Sequence, residues 1–276
     1  MHHFDLFLFS TDCDFIPRAV AAGVAGVIVD WEHIGKDLRQ AGADTQINHD
    51  TVDDLLRVRA CTDARILCRI NGHGATTRKE IELAIIAGAD EILLPMVRTV
   101  REVESVLEQV GGRCEVGIQI ETRAALNLAA ELSSLPLSRV YVGLNDLALE
   151  RKSPNIFTPI LDGTIEAIRP WFDIPFGVMG LTSPDRGFPI PSRLLMAELV
   201  RLRCDFSMLR RSFHRDLQGR DPAIEIPRIH HALRLLRLRP PGVVAGDRHE
   251  LESAILNWPN PLPAQDMVLS HVSRTR

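Results

Sequence analysis

The feature that most constrains the fold is a regular spacing between short apolar segments that end in polar residues. Successive segment ends fall at residues 69, 95, 121 and 145, so the intervals are 26, 26 and 24 residues. Each interval accommodates one β-strand, one α-helix and their two connections. Several segments are apolar almost throughout, which is typical of parallel strands that are buried on both faces.

Eight such segments predict an α/β fold, namely a (β/α)8 TIM barrel with a C-terminal extension. The predicted strands cover residues 6–9, 26–30, 66–70, 91–95, 116–120, 139–143, 176–179 and 206–209. The predicted helices cover residues 77–87, 100–110, 123–132, 191–203 and 222–236. A doubly wound open sheet is the alternative, but residues 9–12 lack the glycine-rich turn with which such sheets bind nucleotides.

Two regions interrupt this spacing. Residues 34–50 form a long polar segment after the second strand, and we expect it to lie on the rim of the active site. Residues 238–276 begin with Arg-Pro-Pro-Gly and contain further prolines, which predicts an arm or tail with one short helix over residues 248–256. The predicted organisation is therefore a barrel over residues 1–237 and a C-terminal arm or tail over residues 238–276.

Composition and charge narrow the classes of partner. The formal net charge is −4, which gives no indication of nucleic acid or of an acidic membrane surface. No apolar run approaches the ~20 residues of a membrane span, and the N-terminus does not resemble a secretory signal. The five cysteines include no Cys-x-x-Cys pair, which favours free thiols in a reducing cytoplasm over a zinc site. We therefore expect a cytoplasmic protein that acts on small molecules.

Two acids follow consecutive predicted strands. Glu121 comes after the apolar residues 116–118, and Asp146 comes shortly after residues 140–142. In barrel enzymes the reactive groups lie at the carboxyl ends of the strands, so these carboxylates can meet at one mouth. Oxygen ligands suit Mg²⁺ or Mn²⁺, which predicts a divalent metal site. The alternative for each acid is a helix N-cap or a surface ion pair.

Other charged residues fall at the same end of the predicted barrel. Arg69 directly follows a buried run and could stabilise the negative charge of an enolate oxygen, or it could form a structural bridge to Asp30 or Glu32. His33 is a candidate acid/base because imidazole titrates near neutral pH, and Asp30 could orient it. The alternative for His33 is a solvated loop histidine.

The last predicted strand is followed by Arg210 and Arg211. This rim often binds anions in barrels, so Arg211 could face a carboxylate or phosphate of the substrate. A salt bridge at an interface or with the final helix is the equally weighted alternative.

The segments that carry these residues resemble the HpcH/HpaI aldolase and citrate lyase β-subunit superfamily. The similarity covers roughly residues 5–215 and runs in the same order as in that family. The matching segments are residues 29–33, 68–71, 88–97, 119–122 and 143–147. The resemblance implies a metal-dependent lyase on a (β/α)8 barrel, and a homo-oligomer, often a hexamer built from trimers that exchange their last helix.

Roles for individual residues follow from this resemblance. It implies that Glu121 and Asp146 are the metal ligands, and that Arg69 stabilises the enolate. It also implies an acid/base pair of His33 and Asp30 near a bound water. The substrate-binding positions that it implies are Gln119 beside the metal, and the turn of Gly143, Leu144 and Asn145 for the pyruvate carboxylate.

The pair Glu32-His33 resembles the branch of the family that cleaves 4-hydroxy-2-oxo acids. This implies a class II pyruvate-type aldolase that works through a metal-stabilised enolate and interconverts its substrate with a 2-oxo acid and an aldehyde. The chain departs from the family pattern at Leu144, at Ile86 and at the pair Arg210-Arg211. A lyase acting on malyl-CoA or citramalyl-CoA is one alternative, and a non-catalytic barrel subunit is another.

Overall fold

Eight parallel strands form a closed barrel in the computed structural model, which describes residues 4–36, 49–153, 155–210 and 213–258. The strands are β1 (Asp5–Phe9), β2 (Gly26–Asp30), β3 (Arg65–Arg69), β4 (Glu91–Leu94), β5 (Glu115–Ile120), β6 (Arg139–Val142), β7 (Phe176–Leu181) and β8 (Phe206–Leu209). Each strand pairs with its neighbours in sequence, and β8 pairs with β1. The predicted (β/α)8 barrel is therefore confirmed, and the open sheet is excluded.

Helices connect the strands on the outside of the barrel. They are α1 (Ile16–Ala21), α2 (Val52–Cys61), α3 (Thr77–Ile86), α4 (Val100–Val110), α5 (Arg123–Asn127), α6 (Ala129–Leu132), α7 (Leu144–Arg151), α8 (Thr158–Leu161), α9 (Thr164–Ile168), α10 (Ser192–Arg201), α11 (Phe213–Asp216), α12 (Pro222–Leu236) and α13 (Pro241–Leu256). Most of the predicted rim loop, Arg211 and the end of the predicted tail lie outside the described residues.

Local sequence explains where several helices begin and end. Thr99 and Glu102 form a reciprocal capping box at the start of α4, and Gly111 ends that helix in the left-handed conformation. The helix predicted over residues 123–132 was wrong as a single element. The backbone leaves the helical region at Leu128, with φ −98° and ψ 12°, and this divides the segment into α5 and α6.

Side chains fill the inside of the barrel in layers, because they alternate between the two faces along each strand. The apolar side chains clustered inside the barrel are those of Phe7, Ile28, Leu67, Leu93, Tyr141, Phe206 and Met208. Asp30 lies two residues beyond Ile28, and Arg69 lies two residues beyond Leu67. Both side chains therefore point into the mouth formed by the carboxyl ends of the strands.

The opposite end of the barrel is closed by charged and aromatic groups. Arg139 Nε lies 2.7 Å from Glu91 Oε1, and the guanidinium carbon of Arg139 lies 4.5 Å from the ring centroid of Phe7. A cavity of about 280 Å³ at this end is lined partly by Arg65, Glu115 and Arg139. Arg65 pairs with Glu115 there. These groups neutralise one another, so the cavity does not compete with the mouth as a candidate active site.

The C-terminal helix α13 packs against α10 of the same chain. Its residues Leu251 and Ile255 are buried, and Glu250 pairs with Arg193 of α10. The helix begins at Pro241, earlier than the predicted helix over residues 248–256, because proline suits the first turn of a helix. Among the described residues, no helix is long and apolar enough to cross a bilayer.

Candidate active site and metal centre

Three buried carboxylates converge at the mouth of the barrel. Oxygen atoms of Glu32, Glu121 and Asp146 all lie within 4.8 Å of one another. Glu32 lies two residues after β2, Glu121 directly follows β5, and Asp146 lies in the first turn of α7. The positive end of the helix dipole favours a carboxylate in that first turn. The two acids predicted as metal ligands are therefore brought together, and a third acid joins them.

The backbone fixes the Glu121 carboxylate from two sides. The backbone N–H of Met96, a residue in the left-handed region at φ 55°, donates to Glu121 Oε1 over 2.8 Å. On the other side lies Gly143, where an added Cβ would overlap Glu121 Oε2 and lie 3.3 Å from Glu121 Cδ. The site thus leaves just enough room for one buried carboxylate, as expected of a preorganised ligand position.

Electrostatics at Glu121 also fit a cation site. Burial raises the pKa of Glu121 to about 8, and the neighbouring charges of Asp146 and Glu32 add to this rise. A divalent cation beside the clustered carboxylates would offset both the burial cost and the mutual repulsion. The donor set consists only of carboxylate oxygens, which suits Mg²⁺ or Mn²⁺.

Among the described residues that are buried at the mouth of the barrel, acids outnumber cations by two. The acids are Asp30, Glu32, Glu121 and Asp146, and the cations are Lys36 and Arg69. When all of them are ionised, the mouth carries two more negative than positive charges. One divalent cation would neutralise this excess, which is a second reason why these residues fit a metal ion.

Arg69 is held by an almost complete set of partners. Its Nε and Nη2 donate to the two oxygens of Asp30 over 2.8 and 2.6 Å. Its Nη1 donates to Gln119 Oε1 over 3.2 Å and lies 3.3 Å from Glu32 Oε2. Burial alone would lower the pKa of Arg69, but the charges of Asp30 and Glu32 raise it by more. The net pKa lies above the usual range, so the guanidinium remains charged. The predicted bridge to Asp30 and Glu32 is present, and it aims the guanidinium at the carboxylate cluster.

His33 lies apart from the cluster, on the exposed turn after β2. Its Nδ1 lies 2.8 Å from the carbonyl oxygen of Trp31, and its backbone N–H donates to Asn71 Oδ1 over 2.9 Å. Among the described residues, its ring makes no hydrogen bond to Asp30. If Nδ1 donates a hydrogen bond to that carbonyl oxygen, Nε2 is left with a lone pair. The role of His33 as an acid/base therefore stays a prediction.

Only some of the predicted substrate-binding residues lie next to the carboxylate cluster. Gln119 is buried beside Arg69, Gly143 adjoins Glu121, and Leu144 begins α7 with a buried side chain. Asn145 is exposed at that end of the helix. Arg211 lies outside the described residues, whereas its neighbour Arg210 donates to the carbonyl oxygens of Gly180 and Phe188 over 3.1 and 3.3 Å.

Lys36 is a member of the site that the sequence reasoning missed. Its Nζ is buried, lies 2.9 Å from Glu32 Oε2 and lies 3.8 Å from Asp30 Oδ2. The only signal in the sequence was the spacing of four residues between Glu32 and Lys36, which juxtaposes side chains in a helical turn. That spacing carries little weight in a segment predicted as a loop.

Comparisons with known proteins agree with this geometry. A family model described as HpcH/HpaI aldolase/citrate lyase matches residues 3–155. None of the curated proteins compared with the chain matches it. The family match contains β1 to β6, the three clustered carboxylates, Lys36 and Arg69.

Solved structures share the fold at low sequence identity. An HpcH/HpaI aldolase/citrate lyase family protein from Burkholderia cenocepacia J2315 has a TM-score of 0.58 at 11% identity, covering 79% of this chain and 95% of that chain. Citrate synthase SbnG has a TM-score of 0.55 at 16% identity, covering 79% and 91%. RipC from Yersinia pestis has a TM-score of 0.53 at 13% identity, covering 88% and 99%. At these identities the likeness shows the fold alone.

The family assignment rests on the sequence match together with the barrel. The match spans more than half of the 276 residues and confirms the resemblance inferred from the motifs. Its name joins aldolases and citrate lyases, which supports a lyase-type enzyme. The chain belongs to the HpcH/HpaI aldolase/citrate lyase family.

Proposed function

We propose that this protein is a divalent-metal-dependent carbon–carbon lyase that cleaves or forms a 4-hydroxy-2-oxo acid. Its products in the cleavage direction would be pyruvate or a related 2-oxo acid and an aldehyde. The observation that carries the proposal is the convergence of Glu32, Glu121 and Asp146 within 4.8 Å of one another, in a member of an aldolase and lyase family. Such a cluster beside the buried Arg69 suits chemistry in which negative charge develops on a substrate oxygen.

Glu121 and Asp146 would hold the cation, Mg²⁺ or Mn²⁺. When bound, the cation would act as a Lewis acid toward the 2-oxo acid. Glu121 is suited to this role because the backbone at Met96 and Gly143 leaves its carboxylate a single position. Asp146 is suited because it lies buried in the first turn of α7, beside Glu121 and Glu32.

Arg69 and Gln119 would bind the substrate beside that position. Asp30 holds Nε and Nη2 of Arg69, so Nη1 is the edge that faces the clustered carboxylates. There it would donate hydrogen bonds to the oxygen that becomes negative in the enolate. Gln119 Oε1 accepts from Arg69, which orients its amide nitrogen to donate to a substrate carboxylate.

The proton transfers complete the reaction. His33 Nε2, directly or through water, would accept the proton of the C4 hydroxyl group as the C3–C4 bond breaks. The electrons of that bond pass to the 2-oxo acid fragment as an enolate, and the C4 fragment leaves as the aldehyde. Protonation of the enolate at C3 then gives the 2-oxo acid, and the reverse sequence gives aldol addition.

Two of the basic residues considered for the acyl-CoA alternative are engaged elsewhere. A CoA thioester requires basic groups that are available for its phosphates. Arg98, one of the candidates for that role, pairs instead with Glu150. Arg210 is engaged with backbone carbonyls. Arg101, another candidate, is exposed on α4, so the preference for a 2-oxo acid rests on the carboxylate cluster beside Arg69.

Exchange of the pyruvate methyl protons in D2O tests the proposal by proton NMR. We expect the methyl signal to decay in the presence of Mg²⁺ or Mn²⁺. It should persist when EDTA is added, and it should persist with the Glu121→Gln variant. Glu108→Gln, an exposed substitution on α4, is the matched control and should exchange at the wild-type rate. Exchange that persists in EDTA or in Glu121→Gln would contradict the proposed chemistry.

A further inference from the structure

A buried lysine lies inside the candidate metal centre. Lys36 is 2% exposed, and its ammonium is placed 2.9 Å from Glu32 Oε2 and 3.8 Å from Asp30 Oδ2. A buried ammonium is costly unless carboxylates compensate it, so its position beside these acids is held by their charge. Burial lowers the pKa of Lys36, and the positive charge of the nearby Arg69 lowers it as well.

Glu32 differs from Glu121 in the partners that hold it. One of its oxygens, Oε2, accepts from Lys36 Nζ and also lies 3.3 Å from Arg69 Nη1. Glu121, by contrast, is held by a neutral backbone N–H. Two cations would therefore compete with a bound metal ion for the Glu32 carboxylate, which lies within reach of Glu121 and Asp146.

We propose that Lys36 restrains Glu32 from becoming a third ligand of the bound cation, and so keeps coordination positions open for the substrate. This inference rests on the metal site of the proposed function. Mg²⁺ and Mn²⁺ commonly take six oxygen ligands. Two protein carboxylates leave more of these positions for a chelating 2-oxo acid and water than three do.

Lys36 would position Glu32, and this role would lower the affinity of the site for its metal ion. The ammonium lowers metal affinity, because it both repels the cation and engages a carboxylate that would otherwise bind it. In return the cation remains accessible. A lysine that merely fills space or stabilises the turn after β2 would have no such opposing effects on affinity and accessibility.

Calorimetric titration of the full-length protein with Mn²⁺ tests the inference. Lys36→Met removes the charge but keeps the length of the side chain, and we expect it to tighten Mn²⁺ binding by at least about tenfold. Lys36→Arg preserves a cation for Glu32 and should bind Mn²⁺ with nearly wild-type affinity. Unchanged or weaker binding by Lys36→Met would overturn the inference.

A double-mutant cycle separates restraint of Glu32 from simple charge repulsion. In a Glu32→Gln background, we expect Lys36→Met to tighten Mn²⁺ binding by less than about threefold, because no carboxylate is released. An equal gain in both backgrounds would show that Lys36 acts only as a nearby charge, and it would overturn the proposal. Thermal melting of each variant checks folding, and Lys36→Gln replaces Lys36→Met if the latter does not fold.

The water-proton relaxivity of bound Mn²⁺ provides an independent readout. In Lys36→Met, Glu32 should displace a coordinated water, so the relaxivity per bound ion should fall below that of the wild type. An unchanged relaxivity would contradict the restraint of Glu32. If the Lys36 effects appear but pyruvate exchange does not, the proposed reaction fails while this inference holds; if exchange occurs without the Lys36 effects, the inference alone fails.

Discussion

Gly143 and Glu121 approach so closely that any side chain at position 143 would displace the carboxylate. An added Cβ would overlap Glu121 Oε2 and lie 3.3 Å from Glu121 Cδ. The backbone at Gly143 has φ −87°, which every L-residue adopts, so the requirement for glycine here is one of space rather than of conformation. The turn after β6 and the acid after β5 therefore form one structural unit.

This relationship predicts that Gly143→Ala weakens metal binding. The methyl group must push Glu121 from its position, and displacements of this kind typically lower metal affinity by about 10- to 100-fold. The measurement is a calorimetric titration with Mn²⁺. Gly246→Ala is the control, since nothing lies within 4 Å of that added Cβ in α13, and its Mn²⁺ affinity should equal that of the wild type. Equal affinities for both variants would show that Glu121 does not hold the ion.

The raised pKa of Glu121 predicts how the stability of the metal-free protein depends on pH. The value rises from an ordinary 4.5 to about 8, so the folded protein holds this proton more tightly than the unfolded chain. The resulting stabilisation is fully present below about pH 4.5 and is lost as the pH rises to about 8. Glu121→Gln removes this titration, so in EDTA its melting temperature should exceed that of the wild type by a margin that grows with pH.

Saturating Mg²⁺ is the control for that experiment. The cation stabilises the ionised carboxylate, so it should reduce or reverse the margin between wild type and Glu121→Gln at high pH. A margin that stays constant with pH in EDTA would mean that Glu121 does not take up the proton.

The buried pair of Asp30 and Arg69 predicts a large loss of stability in Asp30→Asn. The substitution leaves a buried guanidinium without its bidentate carboxylate, and Glu32 and Gln119 compensate only in part. We expect a loss of about 3 kcal/mol in the free energy of unfolding, measured with urea. The matched control is Glu82→Gln, which removes the bidentate partner of Arg113 at the surface, where each side chain is 43% exposed. That change should cost far less, because solvent screens the exposed pair, and similar losses for both would contradict the role assigned to burial.

The fold was predictable because barrel strands leave a strong pattern in the sequence. The predicted bounds of β2 and β8 match the structure, and the other strands differ by at most two residues at an end. The same alternation that fills the barrel interior determines the direction of Asp30 and Arg69, so residues within strands could be assigned to the mouth from sequence alone.

The sequence was less informative once a strand had ended. Glu32, His33 and Lys36 follow β2, where no periodicity specifies which side chains turn inward. The structure turns Glu32 and Lys36 into the mouth and leaves His33 exposed, with its backbone held by Asn71. This arrangement depends on long-range hydrogen bonds, which a local pattern cannot reveal. The role of each predicted site residue therefore stays a prediction.

The position of His33 allows its two interpretations to be separated. If Nε2 accepts the C4 hydroxyl proton, His33→Asn should lower kcat/KM for cleavage of a 4-hydroxy-2-oxo acid by about 10²- to 10⁴-fold. Its affinity for Mn²⁺ should stay close to that of the wild type, because the ring does not touch the carboxylate cluster. The control is His231→Asn in α12, which should match the wild type in both measurements. Undiminished cleavage by His33→Asn would identify a solvated loop histidine, whereas a parallel loss of Mn²⁺ affinity would mean that the residue supports the metal centre instead of the proton transfer.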